Sequence, residues 1–253
     1  MLENKTILIF GAGGLLGSKL TQECLNQNAI VIAVDSNIEL ARERIEKLGI
    51  NAQMPNLQYK KIDITNEEQV RNFFANISHI DGAVNATYPR NKTYGAHFFD
   101  VTMNSFNENL SLHLGSSFLF TQQCAAYFKR TLESLSVVNI SSIYGVIAPK
   151  FSIYENTPMT MPVEYAAIKS ALLHLNKYVV AYVNDSRFRI NAVSPGGIFD
   201  HQPIPFLDAY RKETNGAGML DVQEMIGAII FLLSENAKYV TAQNIIIDDG
   251  FHL

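Results

Sequence analysis

The stretch TILIFGAGGLLG, residues 6–17, decides the predicted fold. A short apolar run, Thr6–Phe10, is typical of a buried strand, and glycines follow at three-residue intervals as the chain turns into a helix. Glycine permits a tight turn and a close approach of backbone to a pyrophosphate, and the positive end of the helix dipole faces that anion. The pattern predicts a dinucleotide site, although packing alone also produces such junctions. The residues expected to bind the dinucleotide are Gly11, Gly14, Leu15, Leu16 and Gly17.

Asp35 closes the second apolar run, VIAVDS, about 20 residues beyond the glycines. A carboxylate at this position can accept hydrogen bonds from the ribose hydroxyls of adenosine, whereas it would repel a 2′-phosphate. No arginine or lysine follows until Arg42. We therefore predict NAD as the cofactor and disfavour NADP. The competing interpretation is an aspartate that only forms the turn after a strand.

Seven short apolar, β-branched runs recur along the chain, with helix-length stretches between most of them. They are Thr6–Phe10, Ile30–Val34, Leu57–Ile62, Gly82–Ala86, Val137–Ile140, Arg189–Val193 and Asn244–Ile247. Strands that alternate with helices favour right-handed βαβ crossovers and a parallel sheet covered on both faces. The predicted fold is α/β: a Rossmann fold with a seven-stranded, parallel, doubly wound sheet and helices on both faces.

Two long helices and two irregular segments complete this prediction. A helix from about Ser105 to Lys129 places several apolar residues on one stripe. They are Phe106, Leu110, Leu114, Phe118, Ala125 and Phe128. A second helix, from Val163 to about Asn184, begins directly after a proline. The segments 148–162 and 196–218 are rich in proline or glycine, so both are candidate active-site loops.

Composition limits the classes of function. The 253 residues are 47% apolar and 17% charged, which predicts one globular domain over residues 1–253. The net charge of −4 and the absence of a basic run argue against nucleic acid as a partner. No apolar run is long enough for a membrane span and no signal-peptide pattern occurs, so we expect a cytoplasmic protein. Two cysteines, Cys24 and Cys124, fall in predicted helices and imply neither a disulfide framework nor a metal cluster.

The runs VVNISSIYG and EYAAIKSA supply Ser142, Tyr165 and Lys169. Tyr165 and Lys169 are four residues apart, so on a helix they project from one face. A nearby ammonium ion favours the phenolate and lowers its pKa, which lets a tyrosine exchange a proton with an alcohol near neutral pH. Ser142 could hydrogen-bond the same substrate oxygen. Taken alone, a tyrosine and a lysine at this spacing usually mark only an exposed helix face.

Together these motifs resemble the short-chain dehydrogenase/reductase family across essentially the whole chain. The matching stretches are the glycine loop, KIDIT with Asp63, VNAT at Val84–Thr87, NISS, YAAIK, INAVSPGG at Ile190–Gly197, and VTAQNIIIDDG. The resemblance implies that Ser142, Tyr165 and Lys169 are catalytic and that Tyr165 and Lys169 also contact the cofactor. It further implies cofactor contacts from Asp63 and Ile64 at the adenine, Asn85 and Ala86 along the cofactor, and Pro195, Gly196 and Ile198 at the nicotinamide.

The sequence departs from the family pattern at four places. Leu15 stands where a glycine is usual, VNAT ends in Thr87 instead of glycine, and the chain closes in DDGF with Phe251. The fourth departure is His113, which aligns with an active-site asparagine that helps to hold a water. A neutral imidazole offers one donor and one acceptor and could take over this role. A buried structural histidine is the equally weighted alternative, with Asn109 as the fallback for the asparagine.

The expected substrate side combines three loops, at about 87–100, 146–164 and 197–218. The stretch between Ser142 and Tyr165 is longer than is usual in the family, and it supplies Tyr154. The stretch TYPRNKTYG supplies Tyr88, Arg90, Lys92 and Tyr94. Aromatic faces and fixed cations suit a sugar that carries a phosphate, nucleotide or carboxylate, although solvated surface loops would have the same composition.

The combination of YPRNK, the SLHLG helix and the PKFSIYE loop resembles bacterial family members associated with surface-polysaccharide and flagellin-glycan biosynthesis. We therefore predict an NAD-dependent oxidoreductase that interconverts a secondary alcohol and a ketone, with a modified sugar as the first expected substrate. A catalytically degenerate nucleotide-binding sensor or scaffold, and a nucleotide-sugar epimerase or dehydratase, are the alternatives. The resemblance also implies assembly into a homodimer or homotetramer.

Overall fold

A single parallel sheet organises the fold of the computed structural model, which describes residues 1–253. Its seven strands have the order β3-β2-β1-β4-β5-β6-β7. The strands are β1 Thr6–Phe10, β2 Ile30–Asp35, β3 Leu57–Lys61, β4 Gly82–Asn85, β5 Leu135–Ile140, β6 Phe188–Pro195 and β7 Asn244–Ile247. Every neighbouring pair is parallel. The predicted seven-stranded, doubly wound sheet is therefore confirmed.

Helices cover both faces of this sheet. They are α1 Leu15–Asn26, α2 Ile38–Lys47, α3 Glu67–Asn76, α4 Met103–Asn109, α5 Ser116–Thr131, α6 Val163–Val183, α7 Ile204–Lys212 and α8 Ile226–Leu233. A π-helical turn, Leu110–Gly115, joins α4 to α5. Because side chains alternate along a strand, Ile7 and Ile9 belong to one buried cluster, with α1 and α8. Leu8 and Phe10 belong to the other, with α3 and α5.

The chain reverses its direction of winding between β1 and β4. Phe10, at the end of β1, pairs with Val34 of β2 and with Asn85 of β4. The residues that follow these strands therefore meet at one edge of the sheet, on the two sides of β1. A crevice at such a reversal is the usual ligand site of an open α/β sheet.

A third, smaller apolar cluster lies beyond this edge. Its seven buried members are Ile143, Tyr144, Ile153, Tyr154, Phe206, Tyr210 and Phe251. They come from the stretch between β5 and α6, from α7, and from the C-terminal end of the chain. We call this group the aromatic cluster. It fixes the two segments that were predicted to be active-site loops onto the body of the protein.

The long helix predicted from Ser105 to Lys129 differs from the observed structure. It is divided by the π-helical turn, and its apolar stripe does not coincide with its buried face: Phe118 is 47% exposed, whereas Phe120 is fully buried. A π turn adds residues to a helical turn and so shifts the phase of the side chains. The buried face carries polar residues, including His113 and Ser117, because it lies beside the site described below.

The segment 196–218 is also more ordered than predicted, because it contains α7. Pro203 precedes the helix and Pro205 lies in its first turn, positions at which proline favours a helix rather than a loop. In the segment 148–162, a short 3₁₀ helix spans Phe151–Tyr154 and the remainder is irregular.

Cys24 and Cys124 are buried and unpaired, and they lie in α1 and α5. No group of three or more His, Cys, Asp and Glu side chains is arranged to bind a metal ion. None of the helices combines the length and the apolar character that a membrane crossing requires.

Candidate active site

A cleft of about 660 Å³ opens at the carboxyl edge of the sheet, and it brings together most of the residues predicted from the sequence. The predicted residues that line it are Gly14, Leu15, Leu16, Ala86, Tyr88, Arg90, Ser142, Tyr154, Tyr165, Lys169, Pro195, Gly196 and Ile198. The volume lies in the range of small-molecule and cofactor sites. Gly11, Gly17, Asp35, Asp63, Ile64, Asn85, Lys92 and His113 are not among the lining residues.

The glycine loop at one end of the cleft has no room for side chains. Gly11 has a φ of +83°, and a Cβ there would lie 2.7 Å from the carbonyl oxygen of Ala86. A Cβ on Gly17 would collide with the carbonyl oxygen of Gly11. Helix α1 begins after Gly14 without a side-chain cap, so its first N–H groups are available to an anion. These features fit the pyrophosphate of a dinucleotide.

Asp35 holds this glycine loop in place. Its carboxylate accepts hydrogen bonds from the backbone N–H of Gly13 at 2.9 Å and of Asn37 at 2.9 Å. Each carboxylate oxygen keeps a further lone pair that a ribose hydroxyl can use. Gly13 was not among the residues predicted from the sequence. A Cβ at this position would lie 3.0 Å from the Asp35 carboxylate, so a side chain there would crowd the contact.

Arg44 is a second residue that sequence reasoning missed. Its Nη1 donates to the carbonyl oxygen of Gly13 at 2.6 Å, and it lines the cleft beside Gly14. Arg42, the first basic residue after Asp35, lies over the ring of Tyr59 instead. The sequence alone does not show that Arg44, and not Arg42, reaches the glycine loop, because this depends on the direction in which each side chain projects from helix α2.

Three predicted cofactor residues, Asn85, Asp63 and Ile64, do not line the cleft. The Oδ1 of Asn85 accepts from the hydroxyl of Thr87 at 2.7 Å, so the threonine that replaces the family's glycine has a hydrogen-bond partner. Asp63 accepts from the N–H of Thr65 at 2.9 Å, and Ile64 is buried in the sheet core. The backbone of Asp63 and Ile64 can border an adenine, but their side chains serve the local turn and the core.

Ser142, Tyr165 and Lys169 meet where β5 ends and α6 begins. Ser142 opens a 3₁₀ turn, and its hydroxyl accepts from the N–H of Tyr144 at 3.2 Å. The Nζ of Lys169 lies 5.5 Å from the centroid of the Tyr165 ring and donates to the carbonyl of Ile140 at 2.8 Å.

Gly145 makes this approach possible. Its Cβ would lie 2.7 Å from the carbonyl group of Lys169, so any larger residue would separate the 3₁₀ turn from α6. The hydroxyl of Ser141 also donates to the Lys169 carbonyl, at 3.0 Å. The turn that carries Ser142 is thus fastened to the helix that carries Lys169.

Burial dominates the protonation of this group. It lowers the pKa of the Lys169 ammonium to about 7 and raises the pKa of the Tyr165 phenol, a rise that the neighbouring Ser142 hydroxyl opposes. The net effect on Tyr165 is therefore a raised pKa, in contrast to the lowering that the spacing to Lys169 predicted. The physical reason is that burial penalises both charged forms, so the ammonium ion that should stabilise the phenolate is itself partly neutral near pH 7.

His113 lies beside Lys169, in the π-helical turn. Its Nε2 is 3.4 Å from the Lys169 Nζ. Burial, followed by the charges of Lys169 and Arg90, lowers the pKa of His113 to about 2, so the ring is neutral at working pH. A protonated Lys169 can only donate, so Nε2 must then accept and the ring proton resides on Nδ1. Nδ1 is buried and has no hydrogen-bond partner in the chain.

Asn109, the fallback for the role of His113, lies elsewhere. Its side chain exchanges hydrogen bonds with Asn91 and donates to the Glu164 carboxylate at 3.2 Å. It is fully buried in this network, which ties the loop after β4 to the start of α6. Of the two candidates, the structure brings only His113 to Lys169.

Tyr88 forms the wall between Tyr165 and His113. Its ring meets those of Tyr165 and His113 edge to face, with centroids 5.7 and 5.2 Å apart. Its hydroxyl donates to the hydroxyl of Tyr94 at 2.8 Å, and the Arg90 guanidinium lies 4.6 Å from its ring centroid. Lys92 was also predicted to face the substrate, but it is exposed and outside the lining of the cleft.

Five members of the aromatic cluster also line the cleft: Ile143, Tyr144, Tyr154, Phe206 and Tyr210. The Tyr210 hydroxyl accepts from the N–H of Gly197 at 2.6 Å, which fastens α7 to the loop after β6. Phe251 stacks on Tyr210 with ring centroids 4.5 Å apart and is fully buried. The phenylalanine in DDGF therefore fills this cluster. Neither residue could be assigned from the sequence, because their contacts join segments that are far apart along the chain.

Comparison with known proteins agrees with this geometry. Residues 11–252 match the sequence model of a family described as enoyl-(acyl carrier protein) reductase. The chain is 36% identical, over its whole length and that of the relative, to the post-translational flagellin modification protein A of Campylobacter coli. It is 26% identical to the 7alpha-hydroxysteroid dehydrogenase of Bacteroides fragilis, covering 98% of this chain and 94% of that one.

Among solved structures, a short-chain dehydrogenase from Leptospira borgpetersenii with bound NAD+ superposes with a TM-score of 0.87 at 28% identity, covering 100% of this chain and 94% of that one. The predicted resemblance to flagellin-glycan relatives is confirmed by the Campylobacter coli protein. The chain belongs to the short-chain dehydrogenase/reductase family, whose dehydrogenases and reductases act on CH–OH groups.

Proposed function

We propose that this protein is an NAD(H)-dependent oxidoreductase that interconverts a secondary alcohol and a ketone on a sugar-derived small molecule. The observation that carries the proposal is the meeting of Ser142, Tyr165 and Lys169 in the same cleft as the glycine loop. Neither feature alone would be specific. Together they combine a site for a dinucleotide with a buried phenol that can exchange a proton with an alcohol.

Each residue has a separate role in this proposal. When NAD(H) is bound, its nicotinamide accepts or supplies the hydride. Tyr165 takes the hydroxyl proton during oxidation and returns it during reduction. Ser142 hydrogen-bonds the same substrate oxygen as charge develops there. Lys169, held by the Ile140 carbonyl beside the Tyr165 ring, favours the phenolate whenever it is protonated.

The proton route continues from Lys169 to His113. Nε2 of His113 accepts from Lys169, which opposes the loss of the Lys169 proton on burial. We propose this support for Lys169 as the role of His113. Within the chain the route ends at this ring, because the buried Nδ1 meets no acceptor.

The preference for NAD over NADP rests on Asp35. Its carboxylate is fixed against Gly13 at the glycine loop, where a 2′-phosphate would meet a negative charge. The cofactor contacts that we propose are Gly11, Gly14, Leu15, Leu16, Gly17, Asp35, Asp63, Ile64, Asn85, Ala86, Tyr165, Lys169, Pro195, Gly196 and Ile198. The NAD+ bound to the Leptospira borgpetersenii relative supports this preference.

A sugar-derived substrate is supported by two observations. The relative with 36% identity modifies flagellin, according to its name. Aromatic side chains, among them Tyr88 and Tyr154, line the part of the cleft opposite the glycine loop, and aromatic faces suit the C–H faces of a sugar ring.

We also propose a cytoplasmic location and a homo-oligomeric state, either a dimer or a tetramer. Two buried, unpaired cysteines suit a reducing compartment. The apolar stripe of the α4–α5 region includes the exposed Phe118, and Tyr178 and Tyr182 stack on each other at the surface of α6. A second copy of the chain could cover these residues.

The departures from the family pattern no longer favour a scaffold without activity. Thr87 is bonded to Asn85, Phe251 fills the aromatic cluster, and His113 contacts Lys169. Three of the four departures thus have a partner in or beside the site, which supports a protein that keeps its groups for catalysis.

A cofactor and substrate screen tests the proposal. Thermal shift and NADH fluorescence should show binding of NAD(H), with NADP(H) at least about tenfold weaker, a difference of about 1.4 kcal/mol. Absorbance of NADH should then report turnover with a member of a panel of nucleotide sugars, sugar phosphates, sugar acids and simple ketones. Stronger stabilisation by NADP would contradict the role of Asp35. Saturable NADH binding without turnover across the panel would favour a sensor.

A further inference from the structure

We propose that Arg90 binds an anionic group of the substrate, so that the substrate is an acidic sugar derivative and not a neutral one. The inference rests on the proposed function and specifies its substrate class. A guanidinium recognises a carboxylate and a phosphate in the same way, because two of its N–H groups donate to two oxygens of the anion.

The charge of the cleft is opposite to that of the chain. The protein carries a net charge of −4, yet the cleft is lined by three basic residues, Arg44, Arg90 and Lys169, and by one acidic residue, Asp200. Arg44 lies at the glycine loop and Lys169 at the catalytic tyrosine. Arg90 is the basic residue that these two roles leave unexplained.

Arg90 has no carboxylate partner but is held in place. Its Nη1 donates to the carbonyl oxygen of Tyr88 at 3.3 Å, and its guanidinium stacks over the Tyr88 ring. No ion pair of the chain includes Arg90. Arg90 is exposed, so its remaining N–H groups are accessible to a ligand, and its stacking on Tyr88 limits the conformations of the guanidinium.

Arg90 lies close enough to the catalytic phenol to contact the same substrate. Tyr88 separates the two groups, with its centroid 4.6 Å from the guanidinium carbon and 5.7 Å from the Tyr165 ring centroid. The separation between the Arg90 guanidinium carbon and the Tyr165 ring centroid cannot exceed the sum of these two distances. A single sugar ring with one acidic substituent can span such a gap. The charge of Arg90 also contributes to lowering the pKa of His113, so its field reaches the catalytic group.

The remaining lining residues of the substrate side offer no further cation. Arg44 also lines the cleft, but it is bonded to Gly13 at the glycine loop. Met159, Met161 and Met219 line the cleft together with Tyr154 and Phe206, and none of these side chains is cationic. Asp200 also lines the cleft and would repel an anion placed beside it. An acidic group of the substrate should therefore lie at Arg90.

Arg90→Gln tests the inference, with Lys92→Gln as the matched control. Both side chains are exposed and both changes remove one positive charge from the same loop, but only Arg90 lines the cleft. Each protein is titrated by calorimetry, with NADH bound, against matched pairs: glucuronate and glucose, and glucose 6-phosphate and glucose, among other acidic and neutral pairs.

We expect the wild type and Lys92→Gln to bind at least one acidic sugar about tenfold more tightly than its neutral counterpart, and Arg90→Gln to lose that preference. Arg90→Lys should retain part of it, because it keeps the charge but not the fork. The pair that responds distinguishes a carboxylate from a phosphate.

Three results would overturn the inference: no acidic sugar that binds better than its neutral counterpart, an undiminished preference in Arg90→Gln, or an equal loss in Lys92→Gln. The affinity for NADH is measured in the same experiment. A large loss of NADH affinity in Arg90→Gln would place Arg90 in the cofactor site instead. Failure of the wild type to bind NADH would contradict the proposed function itself.

Discussion

The two halves of the cleft are built in different ways. The half beside the glycine loop consists mainly of residues at or shortly after the ends of strands β1, β4, β5 and β6, so the sheet places them. The half beyond Tyr165 consists of the loop after β4, the stretch between β5 and α6, helix α7 and the C-terminal end, and side-chain packing holds these segments together. The difference indicates that strand topology determines where a dinucleotide can bind, while the aromatic cluster determines the shape of the substrate side.

Two variants that each remove one hydroxyl group, Tyr210→Phe and Tyr154→Phe, test this difference between the halves. We expect Tyr210→Phe to have the larger effect on the affinity for NADH, because Tyr210 links the two halves. The change keeps the stacking on Phe251 but removes the acceptor for the Gly197 N–H. A partly buried N–H that loses its partner costs about 1 kcal/mol, and we expect the affinity for NADH to fall about fivefold. NADH fluorescence titration measures the effect.

Tyr154→Phe is the control for Tyr210→Phe. It removes a hydroxyl from the same aromatic cluster, where it donates to the Tyr144 hydroxyl at 3.3 Å. That hydroxyl does not touch the loop after β6, so NADH affinity should stay close to that of the wild type. Equal losses in the two variants would mean that the cluster acts only as a core and that Tyr210 has no separate positioning role.

The smaller expected effect is a shift in the pH dependence of the oxidation rate when His113 is replaced. Oxidation requires a proton acceptor, so its rate should rise with pH through the titration of the Tyr165–Lys169 group. His113 favours protonated Lys169, whose pKa burial has lowered to about 7. His113→Leu removes that support, so the Lys169 pKa should fall further and the rising limb should move to lower pH, by about half a unit to one unit for a hydrogen bond of about 1 kcal/mol.

His113→Asn distinguishes support of Lys169 from titration of the histidine itself. An asparagine amide oxygen can still accept from Lys169, so the limb should remain near its wild-type position. His113, with a pKa near 2, contributes no titration of its own in the working range. If the limb disappeared in the asparagine variant, His113 would be the titrating group. If it did not move in the leucine variant, His113 would be a packing residue.

Much of the half of the cleft beside the glycine loop could be predicted from the sequence, because the sequence signals for its residues are local. The spacing of Gly11, Gly14 and Gly17, and of Tyr165 and Lys169, expresses backbone geometry within one turn or one helix. All seven strands were predicted to within a few residues of their observed ends for the same reason, because most of them are short apolar runs between polar turns; β3, LQYKK, is the most polar.

The half of the cleft beyond Tyr165 could not be predicted to the same extent. The contact of Tyr210 with Gly197 and that of Phe251 with Tyr210 depend on segments that meet only after folding. The π-helical turn at His113 shifts the buried face of the helix in a way that a regular period of 3.6 residues cannot represent. The lowered pKa of Lys169 likewise depends on burial, which the spacing to Tyr165 does not reveal.

We propose that Tyr165 exchanges the proton while the half of the cleft beside the glycine loop holds the cofactor. The most direct test is turnover of Tyr165→Phe at saturating cofactor and substrate, with NADH binding verified by fluorescence. We predict a loss in kcat of about 10²-fold to 10⁴-fold with NADH affinity nearly unchanged, because only the proton-transferring hydroxyl is removed. A Tyr165→Phe variant that binds NADH and keeps most of the wild-type turnover would contradict the account.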